Sequence, residues 1–309
     1  MVRAEPIPTR LAAAAGLTPG RLRSKRWATP FHGVRIDRAA VVDLPTACRA
    51  LTAVASVPVV ISDRSAAALY DWWLPRRVAA VIEISVAPGD LIERPGVRCH
   101  RRVIDRKDLR ELDGLVLTSP VRTILDLASQ LPLIDLVVVM DASLKKRTCT
   151  RDELVARAQD RGVRGIARYR RALELSDGRS ESAPETMTRL VIVLSGLPAP
   201  TPQFKVYDKH GTFVARTDLR AHGVRAAFEY DGDGHDEPVV HARDVKRWRD
   251  LRSAGYEVFP YTASELFGTP HQIVVDYQRA LGLPIDATAV RGWLREWKLS
   301  GYNRPLSRP

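Results

Sequence analysis

Cysteine is scarce in this chain. Cys48, Cys99 and Cys149 form an odd, widely spaced set with no CxxC pairing, which excludes a disulfide framework and argues against a zinc site. They read as small apolar residues. Long apolar runs are missing as well, since nothing approaches the roughly 18 residues of a membrane span. The opening stretch MVRAEPIPTRLAAAAGLTPG has neither the apolar core nor the cleavage pattern of a secretory signal. The expected location is the cytoplasm, with no membrane partner. No internal repeat is present. Acid is in deficit: 36 Asp and Glu face 48 Lys and Arg, leaving a formal charge of +12 and a pI near 10.0. Such a balance favours a phosphate-rich partner, nucleic acid before membrane.

What remains is ordinary for a folded protein. Hydrophobic residues make up 45% of 309 positions, enough for a real core and for two or three domains of about 100–200 residues each.

Punctuation divides the chain into pieces. Residues 1–38 read as a winged-helix-like region: a short helix, a turn at Gly16, and a second helix capped by Thr18 with Pro19 at its first position. A hairpin over Phe31 to Ile36 would form the wing. Arg21, Arg23, Lys25 and Arg26 fall on or just after the second helix, where they would face double-stranded DNA. Residues 39–130 alternate strand and helix patterns, including GLVLTSPVRTILDLASQL, which passes from strand to helix at Ser119-Pro120. His100, Arg101 and Arg102 could contact phosphate, although such a cluster more often marks an exposed strand end. Residues 131–176 form a helical connector. Residues 177–285 follow the order α-β-β-β-α-β, closed by Gly196 after the first helix and Gly255 after the second. A basic tail, 286–309, is partly helical at best.

The fourth piece carries a puzzle. In ARTDLRAHGVRAAFEYDGDGH two strand-like runs each place acid among apolar neighbours, and burying a carboxylate is costly unless something compensates it. A two-residue turn at His222-Gly223 would set Arg216 opposite Glu229 and Asp218 opposite Ala227. Asp218 and Glu229 then lie on one face as diagonal neighbours about 7–8 Å apart, Asp231 shares that face by the period of two, and Phe228 and Tyr230 point into a core. Three hard oxygen ligands suit Mg²⁺ or Mn²⁺, and such a metal near a basic surface points to phosphodiester hydrolysis.

The helix beginning ESAPETMTRL, the following GLPAPTPQ, the lone Asp218, the EYDGDGH and the D-x-x-R-x-x-x-L-x-x-x-G of Asp244, Arg247, Leu251 and Gly255 together resemble an uncharacterised bacterial family. That family is related to very-short-patch-repair endonucleases and, more widely, to the PD-(D/E)xK nuclease fold. The resemblance covers roughly residues 178 to 268. It implies that Asp218 is the metal-binding aspartate, Glu229 the acid of the (D/E)xK element, Glu185 the glutamate of the first helix and His235 the histidine after the acidic-glycine turn. Where the wider fold has lysine, this chain has Asp231, so the cationic task would pass to Lys205, Arg247 or His235. The first half, with SPVRTILDLA, is similar to antitoxins of the AbiEi type, which bind DNA and repress their own promoter.

Each candidate has a structural competitor. Ser182 and Glu185 have capping-box spacing, Asp218 and Glu229 could pair with Arg216, Arg220 or Arg225, and Asp244 and Arg247 suit an intrahelical ion pair. The expected architecture is α/β (α+β), with a winged-helix-like region, a mixed α/β middle and a restriction-endonuclease-like α-β-β-β-α-β domain. Its expected work is metal-dependent DNA cleavage with Mg or Mn. The alternative is a non-catalytic DNA-binding regulator of antitoxin type, with a cognate toxin protein as possible partner.

Overall fold

The computed structural model describes residues 5–39, 42–75, 81–231, 238–286 and 293–302. The chain divides into two units, residues 1–129 and 130–309. Among the described residues no helix is long and apolar enough to cross a membrane.

The first unit holds β1 (Ile7–Pro8), α1 (Pro19–Leu22), β2 (Trp27–Ala28), β3 (Val34–Asp37), α2 (Leu44–Ala53), β4 (Val60–Ile61), α3 (Asp63–Leu69), β5 (Ile82–Val86), β6 (Val97–Arg101), β7 (Leu109–Leu112), β8 (Leu115–Thr118) and α4 (Pro120–Ala128). A small sheet has the order β1-β3-β2, and a mixed five-stranded sheet the order β6-β5-β4-β8-β7. The strand-to-helix passage at Ser119 is present as expected: the Ser119 hydroxyl accepts the Arg122 N–H, and Pro120 opens α4.

The N-terminal region departs from the two-helix expectation. Thr18 does cap a helix, accepting the Arg21 N–H at 3.3 Å, but α1 is a single turn and buries no residue. The stretch before it folds as a 3₁₀ turn, Thr9–Leu11. The reason is length: between Gly16 and the strand at Trp27 there is no room for the amphipathic face that stabilises a short helix by packing. The expected wing is core instead. β3 is the central strand of its sheet, and Val34 and Ile36 are fully buried beside Ala50.

The second unit holds α5 (Leu133–Lys145), α6 (Arg151–Arg157), α7 (Ile166–Leu175), α8 (Ala183–Leu194), β9 (Thr201–Tyr207), β10 (Phe213–Arg220), β11 (Ala226–Asp231), α9 (Pro238–Ser253), β12 (Glu257–Thr262), α10 (Ala263–Gly268), α11 (His271–Ala280) and α12 (Leu294–Leu299). The run from α8 to β12 has the element order read from the sequence. Its sheet is ordered β12-β11-β10-β9, with β12 parallel to β11 and the other pairs antiparallel.

Two buried aspartates fasten the surrounding segments. Asp141 accepts the N–H groups of Asp177 and Gly178 and hydrogen bonds from Thr186 and Arg189. The polar stretch after α7 is therefore a tethered corner, which explains why the helical connector and the following piece form one unit. Asp135 accepts from the Ser300 hydroxyl and the Gly301 N–H, while Trp293 and Trp297 are buried. The tail thus docks onto its unit around its one described helix, in keeping with its partly helical reading.

Candidate functional site

The hairpin of β10 and β11 is closed by a bond from the Ala221 N–H to the Ala226 carbonyl, so its loop is His222 to Arg225. Gly223 supplies the left-handed turn, at φ 72. The His222 N–H is held by the Tyr277 hydroxyl at 3.1 Å, and that hydroxyl donates to the Pro198 carbonyl. Leu219 pairs with Phe228 and Arg220 with Ala227. The register is two residues away from the expected one, because the turn has four residues where two were read. A shift of two preserves the parity of side chains, and carrying it one step further sets Asp218 directly opposite Glu229.

At that step the backbone ladder gives way to side chains. The Asp218 N–H donates to Glu229 Oε1 at 3.1 Å, and the Tyr230 N–H donates to Asp218 Oδ2 at 2.9 Å. On the other side of Asp218, the pairs Thr217–Phe204 and Leu219–Pro202 bracket Gln203. Gln203 adopts φ 52, costly for a residue with a Cβ and often tolerated where function requires it. Its Nε2 donates to Glu185 Oε2 at 2.8 Å, whereas its Oε1 is buried without a hydrogen bond. Glu185 sits at the start of α8, accepting also from the Ser182 hydroxyl and the Glu181 N–H. Glu185 thus joins the start of α8 to Gln203 of β9.

Burial, with the Asp218 charge next, pushes Glu185 up to about 7 and Glu229 up to about 8. Asp218 is raised as well, chiefly by burial, against the pull of the Tyr230 N–H and of Arg247 and Arg216. Among the described residues the cation beside Glu229 is Arg247 on α9, whose Nη2 lies 3.0 Å from Glu229 Oε2. That oxygen has no aligned hydrogen bond, so the attraction is Coulombic. Phe228 is fully buried and stacks on Phe259 at 4.7 Å, as its side of the strand requires.

Asp231 continues β11 opposite Thr262. Among the described residues, Asp218, Glu229 and Asp231 do not bring three ligand atoms together. His235 lies outside the described residues, as does the side chain of Asp244. Of the alternative cations, Lys205 pairs across the ladder with Arg216 rather than reaching Glu229, which leaves Arg247 in contact with it. Among the described residues Glu185, Asp218 and Glu229 do not bring three ligand atoms together either; the oxygens without a hydrogen bond here are Gln203 Oε1 and Glu229 Oε2, the latter beside Arg247. Gln203 closes GLPAPTPQ but has no sequence signal that marks its backbone.

A second polar cluster, missed in the sequence, lies in the first unit. Ligand atoms of Asp63, Glu83 and His100 come within 4.8 Å of one another. Arg64 and Arg98 bind Glu83, and Arg102 binds Asp63 and Asp126. Three guanidinium groups around these acids leave little attraction for a metal, so the cluster reads as a neutralised ion-pair knot. Arg102 is consumed by it rather than presented to phosphate.

Arg21, Arg23, Lys25 and Arg26 are exposed. Arg26 is partly occupied, pairing with Asp37 at 3.0 Å and lying over the Trp27 ring.

Residues 64–175 match the AbiEi antitoxin C-terminal domain. This span runs from α3 to the end of α7 and includes the Ser119–Ala128 passage. The chain is 33% identical to the uncharacterized proteins MT2308 and Rv2248 of two Mycobacterium tuberculosis strains, over 70% of its own length and 79% of theirs. It belongs to the family of these mycobacterial proteins. The crystal structure of RV2827C protein from the same organism aligns with 66% of this chain and 83% of that one, at 17% identity and a TM-score of 0.41.

Proposed function

We propose that this chain is a DNA-binding regulator of antitoxin type. The observation that carries the reading is the match of residues 64–175 to the AbiEi antitoxin C-terminal domain. The formal charge of +12 supports duplex DNA as a partner, and exposed Arg21, Arg23, Lys25 and Arg26 offer it phosphate contacts. A cognate toxin protein is the second partner this reading implies. A reporter gene placed behind the DNA upstream of this chain's own gene tests it: co-expression should repress the reporter. An unaltered reporter would count against it.

One observation favours a second reading, a metal-dependent nuclease with a PD-(D/E)xK arrangement in the second unit. It is the cluster of Glu185, Asp218 and Glu229, whose burial raises all three pKa values. In this reading Asp218 and Glu229 would hold Mg²⁺ or Mn²⁺, without Asp231, which is not brought into one ligand set with them. The metal would supply phosphate polarisation and an acidified water. Glu185 positions Gln203, Arg247 supplies the charge that lysine supplies in the wider fold, and His235 keeps the role the resemblance gives it. Plasmid, linear and mismatched DNA incubated with the protein and Mg²⁺ or Mn²⁺ would be cut by wild type and spared by Asp218→Ala.

A further inference from the structure

The hairpin of β9 and β10 presents two paired rows of exposed side chains. Tyr207 pairs with Phe213, and Lys205 with Arg216, while Val206 and Ala215 between them face the core. Tyr207 and Phe213 remain 53% and 55% exposed, the rings edge to face with centroids 6.0 Å apart. The edge of one ring meets the face of the other, and the pair leaves apolar surface to water. Among the described residues β9 is the edge strand of its sheet.

Cations flank the rings. Lys205 has no ion pair among the described residues, and Arg216 is held by Glu181 at 2.6 Å. Lys209 and His210 are exposed in the connecting turn. That turn is ordered by Asp208, whose Oδ1 accepts the N–H groups of His210 and Thr212, so the tip is set in advance of any ligand. The aromatic row and the cationic row are about 7 Å apart along the strands. Two residues beyond Lys205 and Arg216 stand Gln203 and Asp218.

We propose that this hairpin is a platform for an unpaired stretch of DNA. A base stacks on an open ring face of the Tyr207–Phe213 pair, and the adjoining phosphates lie against Lys205 and Lys209. A π-face accepts any base, and the cations complement the backbone charge. Alternating ring and cation suits this occupant better than it suits an apolar protein surface. The proposal rests on the DNA-binding reading and names the element of the second unit that takes part.

Fluorescence anisotropy with labelled oligothymidylate and with a duplex, using the full chain, tests it. Tyr207→Leu with Phe213→Leu keeps strand-compatible apolar side chains and removes both rings. Single-strand Kd should rise roughly 5- to 100-fold, with duplex Kd little changed. Lys205→Gln should lower the salt slope for the single strand by about 0.7. Tyr207→Phe with Phe213→Tyr retains both rings and should bind as wild type. Should the leucine pair fail to fold, Lys205→Glu leaves the rings in place and should still weaken single-strand binding. Single-strand affinity unchanged in the folded leucine pair, or unchanged in Lys205→Glu, overturns the platform while duplex binding by wild type leaves the regulator standing. Failure of wild type to bind either DNA overturns both.

Discussion

The carboxylate of Glu229 accepts the backbone N–H of Asp218 at 3.1 Å, and the Asp218 carboxylate accepts the N–H of Tyr230 at 2.9 Å. Each acid replaces a rung of the ladder between its own strand and a neighbour. The two are thereby fixed close together where burial and mutual repulsion disfavour charge, with Glu185 as a third member.

The first prediction is a pH dependence of stability without metal. Folded Glu185 and Glu229 hold protons up to about 7 and about 8, above their unfolded value of about 4.3. Their contribution is therefore full below the unfolded pKa and is lost as pH rises through 7 and 8. Tm should fall between about pH 5 and about pH 9, and Glu229→Gln should flatten that fall. A flat wild-type profile would show that the carboxylates are not buried together.

Arg247 is the cation facing Glu229. Above about pH 8, where Glu229 ionises, Arg247→Met leaves a buried charge with less compensation and should cost about 1–3 kcal/mol, less than a fully buried pair because Arg247 is partly exposed. In the Glu229→Gln background the same change should cost much less. Equal costs in both backgrounds, measured by urea unfolding, would mean that the two side chains are not coupled.

Divalent metal separates the two functional readings. A nuclease site predicts that millimolar Mg²⁺ or Mn²⁺ raises Tm by mass action and that Asp218→Asn abolishes the rise. A regulator alone predicts no metal response and no cleavage.

Asp141 takes four hydrogen bonds from the corner after α7 and from α8. Asp141→Ala should cost about 3–5 kcal/mol, since it leaves Arg189 buried without its acid. A Tm within a degree or two of wild type would show that this corner does not hold the second unit together.

Sequence patterning reached some of this and missed the rest for identifiable reasons. The order α8 to β12 was legible because Gly196 and Gly255 close the helices and the strands alternate. The side shared by Asp218 and Glu229 survived a wrong turn length only because the error was even. Helical length misled at the N-terminus, where capping by Thr18 is real but the helix is one turn long. Trp293 and Trp297 are apolar anchors in a basic tail, so composition concealed their burial. The Asp63, Glu83 and His100 cluster joins segments far apart in the chain, and the strain at Gln203 is a backbone property. Neither leaves a local signal.

The central claim, duplex DNA binding by an antitoxin-type regulator, is tested most directly by one titration. Anisotropy of the labelled DNA upstream of this chain's own gene is followed against the full chain at several salt concentrations. The account predicts preference over unrelated DNA of the same length, affinity that falls steeply with salt, and a smaller slope in Arg21→Ala/Arg23→Ala by up to about two units. Equal weak binding to both DNAs, or none, would contradict it.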